Sequence, residues 1–286
     1  MKIKTILIYL LVIVLILCGC VFGAYKYFFG NLTHDDSFET AVDDAVDRLA
    51  VNTYDTLEQA NIKNIAIFGI DSKSGDKGRS DATMILSIDY EHNKIKLCSI
   101  ARDTLVYIPD KDVYEKFTHA YAYGGAELAV KTLNANFNLD ITDYVAVNFS
   151  EMADIVDMLG GVQVDLTQGE INYMGDNGKS LSPGSSVTLN GAQAVAYSRI
   201  RYTKGADYKR AERQRTILFK VFAKAKELDT IGRIQLAEKM LDEISTNYHT
   251  DEMVALLQDL SSYTMEDMTA YPQVFYGGSV SGKWYE

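Results

Sequence analysis

Apolar positions open the chain as one unbroken block. No charged side chain interrupts Thr5 to Tyr25, and roughly 20 such residues cross a ~30 Å hydrocarbon core as a helix. Lys2 and Lys4 precede the block, and His34-Asp35-Asp36 follow it. The positive-inside bias therefore predicts residues 1–4 in the cytoplasm, a single transmembrane helix over 5–25, and the remainder outside the cell membrane. Tyr25, Tyr27, Phe28 and Phe29 read as an aromatic belt at the bilayer interface. Two rival readings compete: a cleaved signal peptide, and a lipoprotein processed at Leu17-Cys18-Gly19-Cys20 with Cys20 lipidated.

Beyond the block the period changes. Residues 26–63 read as a stalk, with Phe38, Val42, Val46, Leu49 and Ala50 at helical spacing and acids on the other face. A domain over 64–286 follows. Ile65–Ile70 is a continuous apolar run, as in a strand buried on both faces. Thr83–Asp89 and Ile95–Ile100 read as two more strands joined by the turn Glu91–Lys94. Gly124–Phe137 is helical by period, Tyr144–Phe149 is a strand, and Ser150 caps a helix ending at Gly160-Gly161. Val162–Leu166 is a strand. Helices are expected over Leu189–Ile200, Ala211–Leu228, Gly232–Thr246 and Asp251–Tyr263, with a last strand near Val274–Tyr276. Gly169–Gly184 reads as one long loop, suited to a lid or rim. Strands interleaved with helices predict an α/β fold, a layered α-β-α domain with a mixed central sheet.

Composition narrows the function. With 47% hydrophobic and 23% charged residues the chain is globular rather than disordered. A net charge of −11 makes the chain a poor candidate for general nucleic-acid binding, which needs a basic surface. The 3 cysteines are Cys18, Cys20 and Cys98, so the part beyond the anchor holds one thiol and no intrachain disulfide. Cys98 sits in an alternating apolar run and reads as a strand residue, and no Cys/His grouping has zinc-ligand spacing.

Charge placement is the informative feature. Of 9 arginines, 5 fall between residues 199 and 215: Arg199, Arg201, Arg210, Arg213 and Arg215. Guanidinium gathered in one place in an acidic chain points to an anion, because its planar fork donates paired hydrogen bonds to phosphate. The competing reading is a solvated basic helix paired with Asp207 and Glu212. Arg210, Arg213 and Gln214 lie within little more than one turn and are expected to share a broad face. Two further clusters end strands. Asp71 follows the first strand, and a glycine-bearing loop leads from it to Arg79-Ser80-Asp81. Ser99–Thr104, with Arg102 and Asp103, follows the third. Two carboxylates beside arginine suit Mg²⁺ next to phosphate, whereas a capped turn explains the same residues more plainly. Strand ends of one sheet converge on one crevice.

These residues, in order, resemble the LytR-CpsA-Psr family. The resemblance is carried by Gly69-x-Asp71, Arg79-Ser80-Asp81, Ser99-Ile100-x-Arg102-Asp103-Thr104, Lys116 with Ala120-Tyr121 and Gly124-Gly125, Val156-Asp157-x-Leu159-Gly160-Gly161-Val162, Leu189-Asn190-Gly191-x-Gln193-Ala194, Arg199-x-Arg201 and Asp207-x-x-Arg210-x-x-Arg213-Gln214. It covers residues 64–228. It implies an enzyme, a phosphotransferase that moves a glycopolymer (wall teichoic acid, capsular or other secondary wall polysaccharide) from a polyprenyl-diphosphate carrier to a peptidoglycan hydroxyl. By resemblance, Asp71 and Asp81 bind Mg²⁺ or Mn²⁺. Arg79, Arg102, Lys116, Arg199, Arg201, Arg210 and Gln214 grip the diphosphate. Asp103 and Asp207 act as general base or orient the arginines, and the polyprenyl tail lies in an apolar channel between sheet and helices. The implied partners are the lipid-linked glycan, peptidoglycan and the lipid bilayer, with no nucleic acid. A polyprenyl-phosphate-binding regulatory module and a diphosphate hydrolase are the alternatives. The chain departs from the family pattern at Ser72, where arginine is usual, at Ala101, where proline is usual, and at Thr118, where asparagine is usual.

Overall fold

The computed structural model describes residues 48–51, 61–71, 78–201, 206–259, 262–273, 278–280 and 283–285. The expected span over 5–25, most of the stalk, Ser72 and the expected strand at 274–276 lie outside the described residues. Among the described residues no helix is long and apolar enough to cross a membrane.

A six-stranded mixed sheet organises the fold. Its strands are β1 (Ile62–Ile70), β2 (Ser80–Asp89), β3 (Lys94–Ile100), β6 (Asp143–Asn148), β9 (Ser245–Thr246) and β10 (Thr264–Tyr271), ordered β10-β3-β2-β1-β6-β9. β1, β2 and β3 form an antiparallel meander, while β6 runs parallel to β1 and β10 runs parallel to β3. Alternation along β1 explains its continuous apolar run, because Ala66, Phe68 and Ile70 enter one core and Ile65 and Ile67 face the opposite layer. The first core packs against α1 (Thr118–Phe137) through Tyr121, Leu128 and Leu133, with Ile141 of the following loop beside them. α1 starts six residues earlier than its period suggests, because the backbone departs from helical geometry at Gly124 and Gly125 and the apolar pattern restarts there.

The second layer contains α2 (Phe149–Met158), α4 (Gly191–Ser198), α5 (Ala206–Glu227), α6 (Thr230–Glu243) and α7 (Thr250–Asp259). A separate ribbon pairs β7 (Val162–Leu166) with β8 (Gly184–Leu189). Another pairs β4 (Leu105–Ile108) with β5 (Val113–Lys116). The three-layer α/β architecture with a mixed sheet is therefore as expected. Several local expectations differ. Asn148, not Ser150, caps α2, because its side chain accepts from the Ser150 and Glu151 amides and Glu151 returns the bond. The stretch 169–184 is not one loop: it carries α3 (Gln168–Tyr173), a 3-10 turn at Gly175–Gly178 and the start of β8. α3 holds its place through a Thr167–Glu170 capping box. A strand not expected from the sequence, β10, follows α7 and joins the sheet beside β3. Its sequence alternates poorly because it forms a sheet edge, with Met268 and Tyr271 exposed.

Glycine is required where helices meet. A Cβ at Gly191 would stand 2.1 Å from the Ala153 carbonyl oxygen, so α4 presses directly on α2. Gly161, at φ +91°, turns the chain out of α2, and a Cβ there would stand 2.8 Å from the Leu189 carbonyl oxygen.

Candidate active site

Sheet direction places four chain segments at one edge. Asp71 leaves the C-terminal end of β1, Asp81 enters β2, Arg102 follows β3 and Phe149 follows β6. The register of β1 on β2 shifts between Gly69 and Ile70. Gly69 allows the close approach, since a Cβ there would stand 3.0 Å from Ala82 Cβ. Asp71 and Arg79 then clasp each other, the Asp71 amide donating to the Arg79 carbonyl at 3.2 Å and the Arg79 amide to Asp71 Oδ1 at 3.0 Å.

Two departures from the family pattern acquire a structural role. The Thr118 hydroxyl donates to the Ser80 carbonyl at 3.0 Å, and its amide donates to the Arg102 carbonyl at 3.0 Å. Thr118 is buried and ties both loops together beneath the site. The Ala101 amide donates to the Tyr271 carbonyl at 2.9 Å, a bond that proline could not make.

The helical layer supplies the rest. Arg199 and Arg201 follow α4, and Arg210 and Gln214 lie one turn apart on α5. Together with Asp71, Arg79, Asp81, Arg102 and Phe149 they line an open cleft of about 930 Å³. Five guanidinium groups there face two carboxylates, an excess of three positive charges. Arg102 Nη1 lies 2.5 Å from Asp81 Oδ1, and Arg201 Nη2 lies 3.5 Å from Asp81 Oδ2. Asp207 Oδ1 lies 2.9 Å from Arg210 Nη1 and 4.0 Å from Arg201 Nε. Arg199 stacks over the Phe149 ring at 4.6 Å from its centroid.

Arg210 is the most telling residue. It is 4% exposed, yet Nε and Nη1 have no hydrogen-bond partner among the described residues. Its contact with Asp207 is close in distance without the alignment of a hydrogen bond. Burial lowers the guanidinium's proton affinity, and Asp207 opposes that effect. Arg210 also contributes to the cleft wall, where four further guanidinium groups stand, a setting that suits an anion with acceptor oxygens.

Not every expected residue lines the cleft. Asp103 and Lys116 stand behind Arg102: Asp103 Oδ1 is 3.5 Å from Arg102 Nε and 3.2 Å from Lys116 Nζ. This places Asp103 as an orienting group for Arg102 and Lys116 as its counter-ion. Asp207 borders the adjoining pocket, which adds Tyr208 and the β10 residue Tyr271, neither of which stood out in the sequence. Arg213 turns away from Arg210 and Gln214, and its Nε bonds Glu170 Oε1 at 3.0 Å. Arg215 is buried and donates to the Ser99 hydroxyl, joining α5 to β3. Among the described residues no three metal-ligating side chains cluster.

Between the sheet and the second helical layer lies an apolar cavity of about 90 Å³. Ile67 and Val145 of the sheet, Phe222 of α5, Met240 of α6 and Met253 of α7 contribute to its wall.

Residues 25–284 match the LytR_cpsA_psr family. The chain belongs to the LytR-CpsA-Psr family. The match extends past the 64–228 stretch of motifs at both ends, so α6, α7 and β10 are part of the family unit. Among family relatives, the polyisoprenyl-teichoic acid–peptidoglycan teichoic acid transferase TagU of Enterococcus faecalis is 33% identical over 227 residues, 73% of each chain. TagU of Bacillus subtilis is 29% identical over 263 residues, 90% of this chain and 83% of its own. A solved LytR-CPS2A-psr protein, YwtF (TagT) with bound octaprenyl pyrophosphate, superposes with a TM-score of 0.62 at 27% identity, over 79% of this chain and 82% of that one.

Proposed function

We propose that this LytR-CpsA-Psr protein is a glycopolymer transferase. It takes a polymer such as teichoic acid from a polyprenyl-diphosphate carrier and joins it to a peptidoglycan hydroxyl. The observation that carries this reading is the gathering of five arginines on one cleft whose lining holds two carboxylates. The names of the TagU relatives and the octaprenyl pyrophosphate of the TagT neighbour support the same substrate chemistry.

In this reaction the acceptor hydroxyl oxygen forms a bond to the polymer-bearing phosphorus. The bond from that phosphorus to the bridging oxygen breaks, polyprenyl monophosphate leaves, and the hydroxyl proton passes to a base or solvent. The transition state is loose, so positioning and charge neutralisation dominate. Arg79, Arg102, Arg199, Arg201 and Arg210 supply donors to the phosphate oxygens, with Gln214 beside them. Asp81 holds Arg102 and Arg201 in place, and Asp207 holds Arg201 and Arg210. Asp103 aligns Arg102 from behind.

Asp71 and Asp81 provide two hard oxygen donors on one cleft, and each carboxylate oxygen has more than one acceptor site. That set suits Mg²⁺, or Mn²⁺, which needs few protein carboxylates when diphosphate oxygens complete its shell. When bound, the cation would neutralise diphosphate charge and favour the leaving group. The apolar cavity would take the prenyl tail. Lys2, Lys4 and the apolar block at 5–25 support an anchored protein with its site outside the membrane.

The test supplies the full chain in detergent with a polyprenyl-diphosphate glycan, Mg²⁺ and peptidoglycan oligomers. A phosphodiester-linked product is expected. Its absence, under conditions where a TagU relative makes one, refutes the proposal. Arg201, with its side chain 47% exposed, can be removed without disturbing the fold. Arg201→Ala is expected to keep its melting temperature and lose transfer by about 100-fold or more.

A further inference from the structure

A second pocket lies across α5 from the diphosphate cleft. It is an open pocket of about 330 Å³ between α3, the end of α4 and the outer flank of α5. Its wall against the cleft is the short stretch 199–201: Arg213 Nη1 donates to the Ile200 carbonyl at 3.3 Å, while Arg199 and Arg201 on either side face the cleft. The two pockets are thus neighbours that share a partition.

Their electrostatics are opposite in kind. The cleft carries surplus positive charge, whereas every ionised group in the second pocket has an opposite partner. Glu170 Oε1 lies 3.0 Å from Arg213 Nε, and Glu212 Oε2 lies 2.6 Å from Lys209 Nζ. Two acids and two bases cancel, so a charged ligand gains little there. The Thr167 and Thr216 hydroxyls line it too, each donating within the protein, to Glu170 Oε2 at 2.8 Å and to the Glu212 carbonyl at 2.9 Å, so the wall is polar and largely self-satisfied. Tyr173 stands 52% exposed at the rim, and the Tyr197 ring forms the buried side beneath Arg213, 5.7 Å from its guanidinium. An exposed aromatic face beside dense neutral-sum polar groups suits a ligand with an apolar face and hydroxyl edges. A pyranose ring has both: axial hydrogens on its face and hydroxyls around its rim. A volume of about 330 Å³ lies at the low end of the usual range for ligand sites.

We propose that this pocket is a subsite for a neutral stretch of sugar chain, stacked on Tyr173 and held beside the phosphate it is to join. The inference rests on the transferase reading and adds to it the place where the acceptor glycan lies. Peptidoglycan sugar presents such rings, whereas a teichoic acid carries a negative charge at every phosphodiester.

The test titrates the full chain in detergent with three probes separately: peptide-free peptidoglycan oligosaccharide, lipid-free teichoic acid, and octaprenyl diphosphate. The oligosaccharide is expected to bind. Tyr173→Ala is expected to weaken it about fivefold, the scale of one aromatic contact, and Tyr173→Trp to restore it. Octaprenyl diphosphate affinity should be the same in all three proteins. A Tyr173-dependent response to the oligosaccharide supports the inference, and one to the polyanionic teichoic acid instead overturns it. Normal diphosphate binding with no Tyr173-dependent glycan binding overturns the subsite alone. Absence of diphosphate binding by the parent protein overturns the transferase reading and the subsite with it.

Discussion

Replacing Arg210 with methionine separates stability from function. The parent holds a guanidinium that is 4% exposed, with Nε and Nη1 lacking hydrogen bonds among the described residues. Each such buried donor costs about 1–3 kcal/mol of lost hydration, while a contact with a charged group returns about 1.5–3 kcal/mol. Here that return comes from Asp207 at 2.9 Å, imperfectly aligned. Methionine keeps much of the volume but removes only one partner of the pair, and the covered Asp207 Oδ1 is left with Arg201 at 4.0 Å. Relief of the two unbonded donors and loss of the Asp207 partner oppose each other, so Arg210→Met is expected to melt within about 3 °C of the parent. Transfer should fall by about 100-fold or more, because a donor to the transition-state charge is gone. Thermal melts of both proteins without substrate, followed by turnover with lipid-linked glycan, check both halves. A variant that melts several degrees lower, or one that retains turnover within about tenfold of the parent, refutes the reasoning.

Other outcomes follow from the same geometry. Gly191→Ala places a methyl against the Ala153 carbonyl and should lower stability by about 3 kcal/mol, read by chemical denaturation. Burial tends to raise the Glu170 carboxyl, but the Thr167 amide and hydroxyl and Arg213 outweigh it and hold it below its usual value. A depressed carboxylate contributes stability above its unfolded-state value and loses it as the pH falls through the folded-state value. Glu170→Gln should therefore melt lower than the parent at pH 7, and the gap should close as the pH drops below about 4. A gap that widens in acid contradicts this account. Chelation of divalent cations should abolish turnover and leave the melting temperature of the substrate-free protein unchanged, because Asp71 and Asp81 already have protein partners.

Much of the fold was legible because it rests on local periods. The apolar run of β1 and the helical period of α5 needed no partner to be recognised. β10 was not legible, since an edge strand packs on one side only and its sequence TMEDMTAY lacks clean alternation. The ordered motifs pointed to the diphosphate cleft, and the structure brings Asp71, Arg79, Asp81, Arg102, Arg199, Arg201, Arg210 and Gln214 around it.

What proximity along the chain could not settle was direction. A helix turns about 100° per residue, so Arg210 and Gln214 stay on one flank while Arg213 and Gln214 diverge by that angle. Only the docking of α3, which brings Glu170 to that flank, decides that Arg213 serves the second pocket rather than the cleft. Asp103 and Lys116 likewise carry the right chemistry, but the turn after β3 and the β4–β5 ribbon set them behind Arg102. The amino-acid order alone determined which charges the protein owns and which segments become strands and helices. Tertiary packing decided which of those charges remain without partners, because pairing depends on residues that are remote in the chain.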